Sequence, residues 1–547
     1  MLKKFKEELT KTIEQIIKIL SNKLIPVLMS FKLIKNYCLI FFISFFLSCK
    51  SEKKNSPNNP NIIIIYTDDL GYGDVSAYKK GILNTPNIDI IANQGIRFNN
   101  GYSSSATCSP SRYALLTGIY PWRKIGLKVI TGGGLSIDTT TMTIPKMLKH
   151  IGYNTGIVGK WHLGLGEGRD DSGKGMDYNS YIYPGPNQLG FDYSHIMPDT
   201  QDRVPTVYVE NGHVVNLDPD DPIEVHFKKN FEGEPTGKDN PELLTMKWHH
   251  GHNASIVNGV PRIGFMKGGE KARWSDVDMA DHFLEKAQEY IKENKDKSFF
   301  LYYALQQPHV PRTPHPRFEG KSGMGPRGDV IVEADWCVGE LYKTLQSEDL
   351  LENTLIIFSS DNGPVLNDGY YDDAVEKLGD HTPSGGLRGG KYSLFEAGTK
   401  VPFIAYWKGK IQPGISNEII SQIDLFNSIS SIVGTDFRSK DGIDFSNLII
   451  NNQGKGREEL ILEASTRTAY RKGDWAMIPP YNGPEISKNV NIELGNSKDF
   501  KLYNLKEDPS QKNDLAKKES EKLKEMISSF VKIRGEKFSN IENLVLE

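Results

Sequence analysis

The chain has 547 residues, 38% of them hydrophobic and 25% charged, with a formal net charge of −3. That length exceeds what one core fills and predicts two domains. The composition is that of a soluble globular enzyme, and the charge balance leaves no electrostatic footprint for nucleic acid.

Residues 1–48 read as a signal peptide. In "FKLIKNYCLIFFISFFLSCK", Lys32 and Lys35 precede an apolar run from Tyr37 to Leu47, too short to span a bilayer. Met29, just upstream, is the expected start of translation. Cys49 after Phe-Leu-Ser is similar to a lipoprotein acceptor cysteine, although Leu47 sits one place nearer than in the usual pattern. Residues 49–60, polar and rich in Pro and Asn, read as a lipidated or flexible tether. Plain secretion with cleavage nearby is the alternative.

Strands and helices then alternate. "NIIIIYT" (61–67) is a continuous β-branched run, as in a strand buried on both faces. Thr85, Pro86 and Gly95 bracket a helix, and Thr143, Pro145 and Gly152 bracket another. "YNTGIVG" reads as a strand. Val277, Ala280, Phe283, Leu284, Ala287 and Ile291 share one helical face over 275–294. "SFFLYYAL" (298–305) is the next strand. Ala334, Cys337, Val338, Leu341 and Leu345 mark a helix, and "TLIIFSS" (354–360) a further strand. This alternation predicts an α/β fold, a mainly parallel sheet sandwiched by helices, over 61–450. Between 165 and 274 the rhythm is lost in a segment rich in Gly, Pro, Asp and His, read as a functional insertion. From 451 to 547, "REELILEAS", "RTAYRKGDWAMI", "KDFKLYNL" and a final helical stretch predict a smaller C-terminal α+β domain.

Of the four cysteines, Cys38 leaves with the signal peptide, Cys49 lies in the tether and Cys337 reads as a buried apolar residue. Cys108 in "SSSATCSPSRYALLTG" therefore has no disulfide partner even in an exported chain, which favours a functional role. Ser109 suits a helix cap, Pro110 the first turn and Gly118 the end. A helix N-terminus beside Cys108 favours an anion and lowers a thiol pKa, so a cysteine nucleophile with a histidine base is the expectation from the residues alone.

Other polar groups fall at the ends of predicted strands: Asp68 and Asp69, Lys160 and His162, His309, and Asp361 with Asn362. Ligands of open α/β sheets bind outside the carboxyl ends of the strands, so these groups can meet in one crevice. Asp68, Asp69, Asp361 and Asn362 offer only oxygen, which suits a hard cation. Lys160, His162, His309 and Arg112 suit an anion. Singly each is bland, because paired aspartates and Asp-Asn-Gly are common turns. The joint placement carries the weight.

Cys-Ser-Pro-Ser-Arg followed by Tyr-Ala-Leu-Leu-Thr-Gly resembles the signature of the type I sulfatases, whose fold is that of the alkaline-phosphatase-like superfamily. Asp68-Asp69, "GKWHLG", "PHVP", "SSDNG" and "LRGGKYSLFEAG" follow in the family's order, and the resemblance spans roughly 60–430. It implies that Cys108 is oxidised to Cα-formylglycine by a formylglycine-generating or sulfatase-maturating enzyme. It implies one Ca²⁺, with Mg²⁺ second, held by Asp68, Asp69, Asp361, Asn362 and the modified Cys108. The hydrated aldehyde would attack sulfur, Arg112 and Lys160 would stabilise the hydrate and the sulfate charge, and His309 and Lys391 would bind sulfate and protonate the departing sugar oxygen. His162 would take the proton from the remaining hydroxyl. Lys160, His309 and Lys391 thus count as substrate-binding too.

The rivals are a phosphatase or phosphodiesterase of the same superfamily and a non-catalytic glycan-binding protein on a decayed scaffold. The first usually uses Ser or Thr, and decay would show as a lost site residue. The segments beginning "QDRVPTVYVENG", "HHGHNASIVNG" and "GKSGMGPRGD" look similar to bacterial exo-sulfatases grouped with N-acetylgalactosamine-6-sulfatases. The implied substrate is a sulfated glycan, cut at O6 of galactosamine or galactose, with a marine algal glycan such as ulvan as the alternative. The implied location is the periplasm or outer-membrane surface of a bacterium, with membrane contact only through the anchor. His250, His252, Arg203 and Arg262 are candidates for contacting sugar. Trp274 is assigned to the core.

Overall fold

The computed structural model describes residues 4, 6–22, 59–124 and 127–535. The signal-peptide core, Met29, Cys38, Cys49 and nearly all of the tether lie outside the described residues. The chain divides into two units, Met1–Ser56 and Pro57–Glu547. In the first, residues 6–22 form a helix. Among the described residues no helix is long and apolar enough to cross a membrane.

The second unit is built on a ten-stranded sheet. In chain order its strands are β1 (Asn61–Thr67), β2 (Ile96–Tyr102), β3 (Asn154–Lys160), β4 (Tyr193–Met197), β5 (Val209–Glu210), β6 (His213–Val214), β7 (Phe299–Ala304), β8 (Thr354–Ser360), β9 (Phe403–Tyr406) and β10 (Gly414–Ser421). They lie in the order β10-β2-β9-β8-β1-β7-β3-β4-β5-β6. The central run β8-β1-β7-β3-β4 is parallel, and β9 is antiparallel to both neighbours.

Every residue of β1 is buried, as its β-branched run predicted. Ile62, Ile64 and Tyr66 face one core and Ile63 and Ile65 the other, since successive side chains alternate across a sheet. The first core is covered by α2 (Cys108–Thr117), α3 (Ile144–His150) and α6 (Leu425–Ile432). The second is covered by α1 (Pro86–Gln94), α4 (Met279–Asn294) and α5 (Gly325–Ser347). Cys337 lies fully buried on α5, as expected.

Several boundaries differ from the sequence reading. Helix α4 starts at Met279, not Ser275, and Val277 is exposed outside it. The expected cap Ser109 lies inside α2. Thr107 is the N-cap, Cys108 opens the helix, and Gly118 ends it at φ +64°, the left-handed conformation that glycine tolerates. The sequence reading does not mark strands β2, β9 and β10: polar Asn and Ser break the apolar pattern of β2 and β10, and β9 is only four residues long. The 165–274 segment supplies β4, β5 and β6 to the main sheet besides its loops.

The smaller C-terminal sheet is antiparallel: β11 (Glu459–Ala464), β12 (Arg467–Lys472), β13 (Trp475–Ile478) and β14 (Lys501–Asn504), in that order. Helix α7 (Ser520–Arg534) seals it with Met526 and Phe530, and Tyr102 and Tyr120 join the same cluster.

Candidate active site

The parallel strands β1, β3, β7 and β8 deliver their polar ends to one place. Asp68 and Asp69 follow β1, and Asp361 and Asn362 follow its partner β8, with Thr67 opposite Ser360. Lys160 ends β3, whose Gly159 pairs with Ala304 at the end of β7. His309 lies five residues beyond β7. Cys108 arrives on α2 from the other face, and Lys391 on the loop after Gly390.

Asp68, Asp69, Cys108 and Asp361 present ligand atoms within 4.8 Å of one another. Cys108 Sγ lies 3.5 Å from Asp68 Oδ1. Asn362 Nδ2 donates to Asp69 Oδ1 at 2.7 Å, while its buried Oδ1 has no hydrogen-bond partner among the described residues. A cluster of carboxylates with an unpartnered amide oxygen is a hard-cation donor set. The chemistry of the residues present therefore fits a divalent ion.

Three cations ring the carboxylates. Arg112 donates from Nε to Asp361 Oδ2 at 3.0 Å, and its Nη1 bonds the Lys160 carbonyl and the Tyr302 hydroxyl, both at 3.2 Å. Lys160 Nζ pairs with Asp68. Lys391 Nζ bridges Asp69 Oδ2 at 2.8 Å and Asp368 Oδ2 at 2.9 Å. Burial works against its charge, but Asp368 and Asp69 outweigh burial and hold it protonated.

The two histidines behave differently from free ones. His162 donates from Nε2 to the Ile130 carbonyl at 2.8 Å, which leaves buried Nδ1 as a bare acceptor. Burial, then the Lys160 charge, keeps it neutral. His309 is pulled down to about 4 by burial and by Lys391, and its Nδ1 donates to the Val310 carbonyl at 2.7 Å.

The expected low thiol pKa at Cys108 is not what the structure shows. Burial and the neighbouring Asp361 charge push it well up, against the pull of Lys160 and Lys391. Burial thus works against the thiolate that the helix N-terminus favours.

A cleft opens over these groups, lined by Cys108, His162, His309 and Lys391 and by His250 and His252 from the 165–274 segment. His252 Nε2 lies 2.7 Å from Asp202 Oδ2, and Arg203 Nη1 2.9 Å from Asp202 Oδ1. Arg203 also lines the cleft. Arg262 does not: it is fully buried, donating to the Gln201 and Val257 carbonyls and to Asp276. That corrects its candidacy for sugar contact. Trp274 is buried against Tyr208, in the core as assigned. The sequence reading missed Asp202 and Asp368, and also Ser487, Asn489 and Val490, which bring the C-terminal region to the cleft. None of these carries a local signal: Asp202, Asp368, Asn489 and Val490 sit in turns and loops, and Ser487 in a strand of two residues.

Fold and site together have the character of an α/β-fold enzyme acting on an anionic ester, with clustered carboxylates and a cationic rim at the carboxyl ends of a parallel sheet. The particular family follows from comparison, since the sulfatase family model matches residues 60–435 and the chain belongs to that family. It is accordingly a sulfuric ester hydrolase. An N-acetylgalactosamine-6-O-sulfatase of Bacteroides thetaiotaomicron is 47% identical over 484 residues, covering 87% of this chain and 94% of the relative. Human arylsulfatase A is 31% identical over 74% of this chain and 71% of its own. A solved structure concerned with the metabolism of multiple glycosaminoglycans by Bacteroides thetaiotaomicron superposes with a TM-score of 0.85 at 46% identity, over 87% of this chain and all of that one. Family membership removes the phosphatase reading.

Proposed function

We propose that this enzyme removes the 6-O-sulfate from a terminal galactosamine or galactose of a sulfated glycan, with Cys108 matured to formylglycine as nucleophile. One observation carries the mechanism: Cys108 opens α2 in the lining of the cleft, its Sγ 3.5 Å from Asp68 Oδ1 and within the field of Lys160 and Lys391. The 47% identical relative, an N-acetylgalactosamine-6-O-sulfatase, supports the substrate.

Asp68, Asp69, Asp361 and Asn362, with position 108, would hold the divalent ion, which we assign as Ca²⁺. When bound, the ion neutralises the carboxylates and polarises a sulfate oxygen, and the aldehyde supplies a hydrated carbon able to release sulfate afterwards. Arg112 and Lys160 hold fixed positive charge beside position 108, preorganised for the sulfate. Lys391 carries a proton at Nζ within the cleft and is the candidate general acid for the leaving sugar oxygen. His309, neutral with Nδ1 committed to Val310, offers Nε2 to the sulfate or sugar. His162 accepts a proton at the bare Nδ1. His250, His252 and Arg203 line the wall that meets the sugar.

Cys108 is 1% exposed, so its oxidation by a maturation enzyme is expected before the site closes. Export is proposed from the apolar run before Cys49, and lipid anchorage from Cys49 itself. A Cys49→Ala variant should then move from the membrane to the soluble fraction.

The test is sulfate release from galactosamine-6-sulfate, galactose-6-sulfate, their 4-sulfated isomers and ulvan oligosaccharides, with maturation confirmed by peptide mass. Release confined to the 6-sulfated galacto sugars is expected, and a Cys108→Ala control should fall by at least about 10³-fold. Release from ulvan alone would discard the substrate while keeping the mechanism. Unchanged activity in Cys108→Ala would remove the nucleophile.

A further inference from the structure

We propose that Arg467, on the C-terminal sheet, is a positioning residue that sets Lys391 in the active site. The inference rests on the reading of Lys391 given above. Arg467 is 2% exposed, and its bonds go to uncharged oxygens. Nη2 donates to the Tyr392 carbonyl at 2.8 Å, Nη1 to the Leu494 carbonyl at 3.1 Å and to Asn496 Oδ1, and Nε to the Ala464 carbonyl at 3.2 Å. A buried guanidinium bound mainly to carbonyls is costly. Burial pulls it down to about 10, which still leaves it charged at neutral pH.

Its partner Tyr392 directly follows Lys391 and sits at φ +72°, an uncommon left-handed conformation for an aromatic residue. That peptide is clamped from both sides. The Tyr392 N–H donates to the Ala106 carbonyl at 2.8 Å, two residues before Cys108, and Arg467 holds the Tyr392 carbonyl. The β11–β12 hairpin that carries Arg467 also grips the Cys108 loop. The Ala106 N–H donates to the Glu463 carbonyl at 2.7 Å, and the Glu463 N–H to the Ser104 carbonyl at 3.1 Å. One turn of the C-terminal sheet thus ties the nucleophile loop to the Lys391 loop. Without Arg467 the part-buried Tyr392 carbonyl loses that donor, and the conformation that aims Lys391 at Asp69 and Asp368 loses a support.

The experiment is a double-mutant cycle on the full chain, with Arg467→Met made in the wild-type and Lys391→Ala backgrounds at equal formylglycine content. In the wild-type background kcat/KM is expected to fall about 10- to 100-fold, the size of a catalytic group misplaced by an ångström. In the Lys391→Ala background the same change should cost less than about 3-fold. A purely structural role would cost both backgrounds equally, and that result overturns the proposal. If Arg467→Met does not fold, Arg467→Lys, which keeps the charge but not the fork, is run through the same cycle. A crystal structure of either variant with Lys391 Nζ still bridging Asp69 and Asp368 also overturns it. Full activity in Lys391→Ala alone would instead remove the role of Lys391, and this inference with it.

Discussion

Buried charge decides the residue scale. Asp74, just past the Asp68–Asp69 pair, is fully buried and takes Arg327 through two bonds of 2.9 and 2.6 Å, with His381 Nε2 at 2.9 Å. Burial alone would raise its pKa, but the Arg327 charge and the His381 bond hold it below the usual carboxylate range. A depressed pKa stabilises fully above the unfolded value, near pH 4, and the gain is lost as pH falls through the folded value. Asp74→Asn leaves Arg327 buried without its counter-charge and should cost about 3 kcal/mol at pH 7. The gap in Tm between wild type and variant should narrow below about pH 4; a gap constant with pH would refute the pairing. The cradle makes a second claim at this scale. Chelation should inactivate the enzyme and Ca²⁺ should restore it, whereas Asp361→Asn should stay inactive at any Ca²⁺ level that restores wild type. Full activity after chelation would sink the cation site.

At the scale of elements, the proposed site depends on where strands stop. Gly159 sits at φ +111° one residue before Lys160, and a Cβ there would lie 2.0 Å from the Ala304 carbonyl oxygen. Close backbone approach between β3 and β7 is what brings Lys160 to Asp68. Gly159→Ala should impose about 1–3 kcal/mol of conformational strain before the clash is counted. Tm is expected to fall, and activity to fall further than Tm explains, because Lys160 must shift with its strand. A variant with wild-type kcat and Tm would show that the approach is not needed. Helix α2 makes the complementary point, since its ten residues are all buried, Arg112 included. Its periodic apolar pattern is short, yet it places Cys108 and Arg112 one turn apart on the same side of the site.

At the scale of the whole molecule, the C-terminal region meets the cleft. Ser487, Asn489 and Val490 line the cleft, and Leu460 and Ile461 share a cluster with Tyr102 and Tyr120 of the sheet-and-helix core. Truncation after residue 458 would expose that cluster and remove the Ala106–Glu463 bond. The shortened chain should be insoluble, or soluble and inactive even with position 108 fully oxidised. A soluble, active fragment would show that residues 61–450 stand alone.

Local physics made part of this legible. A short β-branched run bounded by turn residues favours a doubly buried strand, and β1 and β8 appear where their sequences place them. Strand ends carrying Asp68, Asp69, Asp361, Asn362, Lys160 and His162 could be read as one crevice, because parallel strands end together. The short motif around Cys108 carried the family resemblance, whereas the low-pKa thiol read from its helix position alone does not survive burial. What stayed hidden depends on long-range approach. Asp368 matters only because Lys391 reaches it, Arg262 is withdrawn from the cleft by Asp276, and Arg467 meets Tyr392 across 75 residues of chain. Such contacts leave no periodicity behind. The thiol pKa shows the same divide: the helix N-terminus could be read locally, but the burial and the Asp361 charge that overrule it exist only once the sheet has closed.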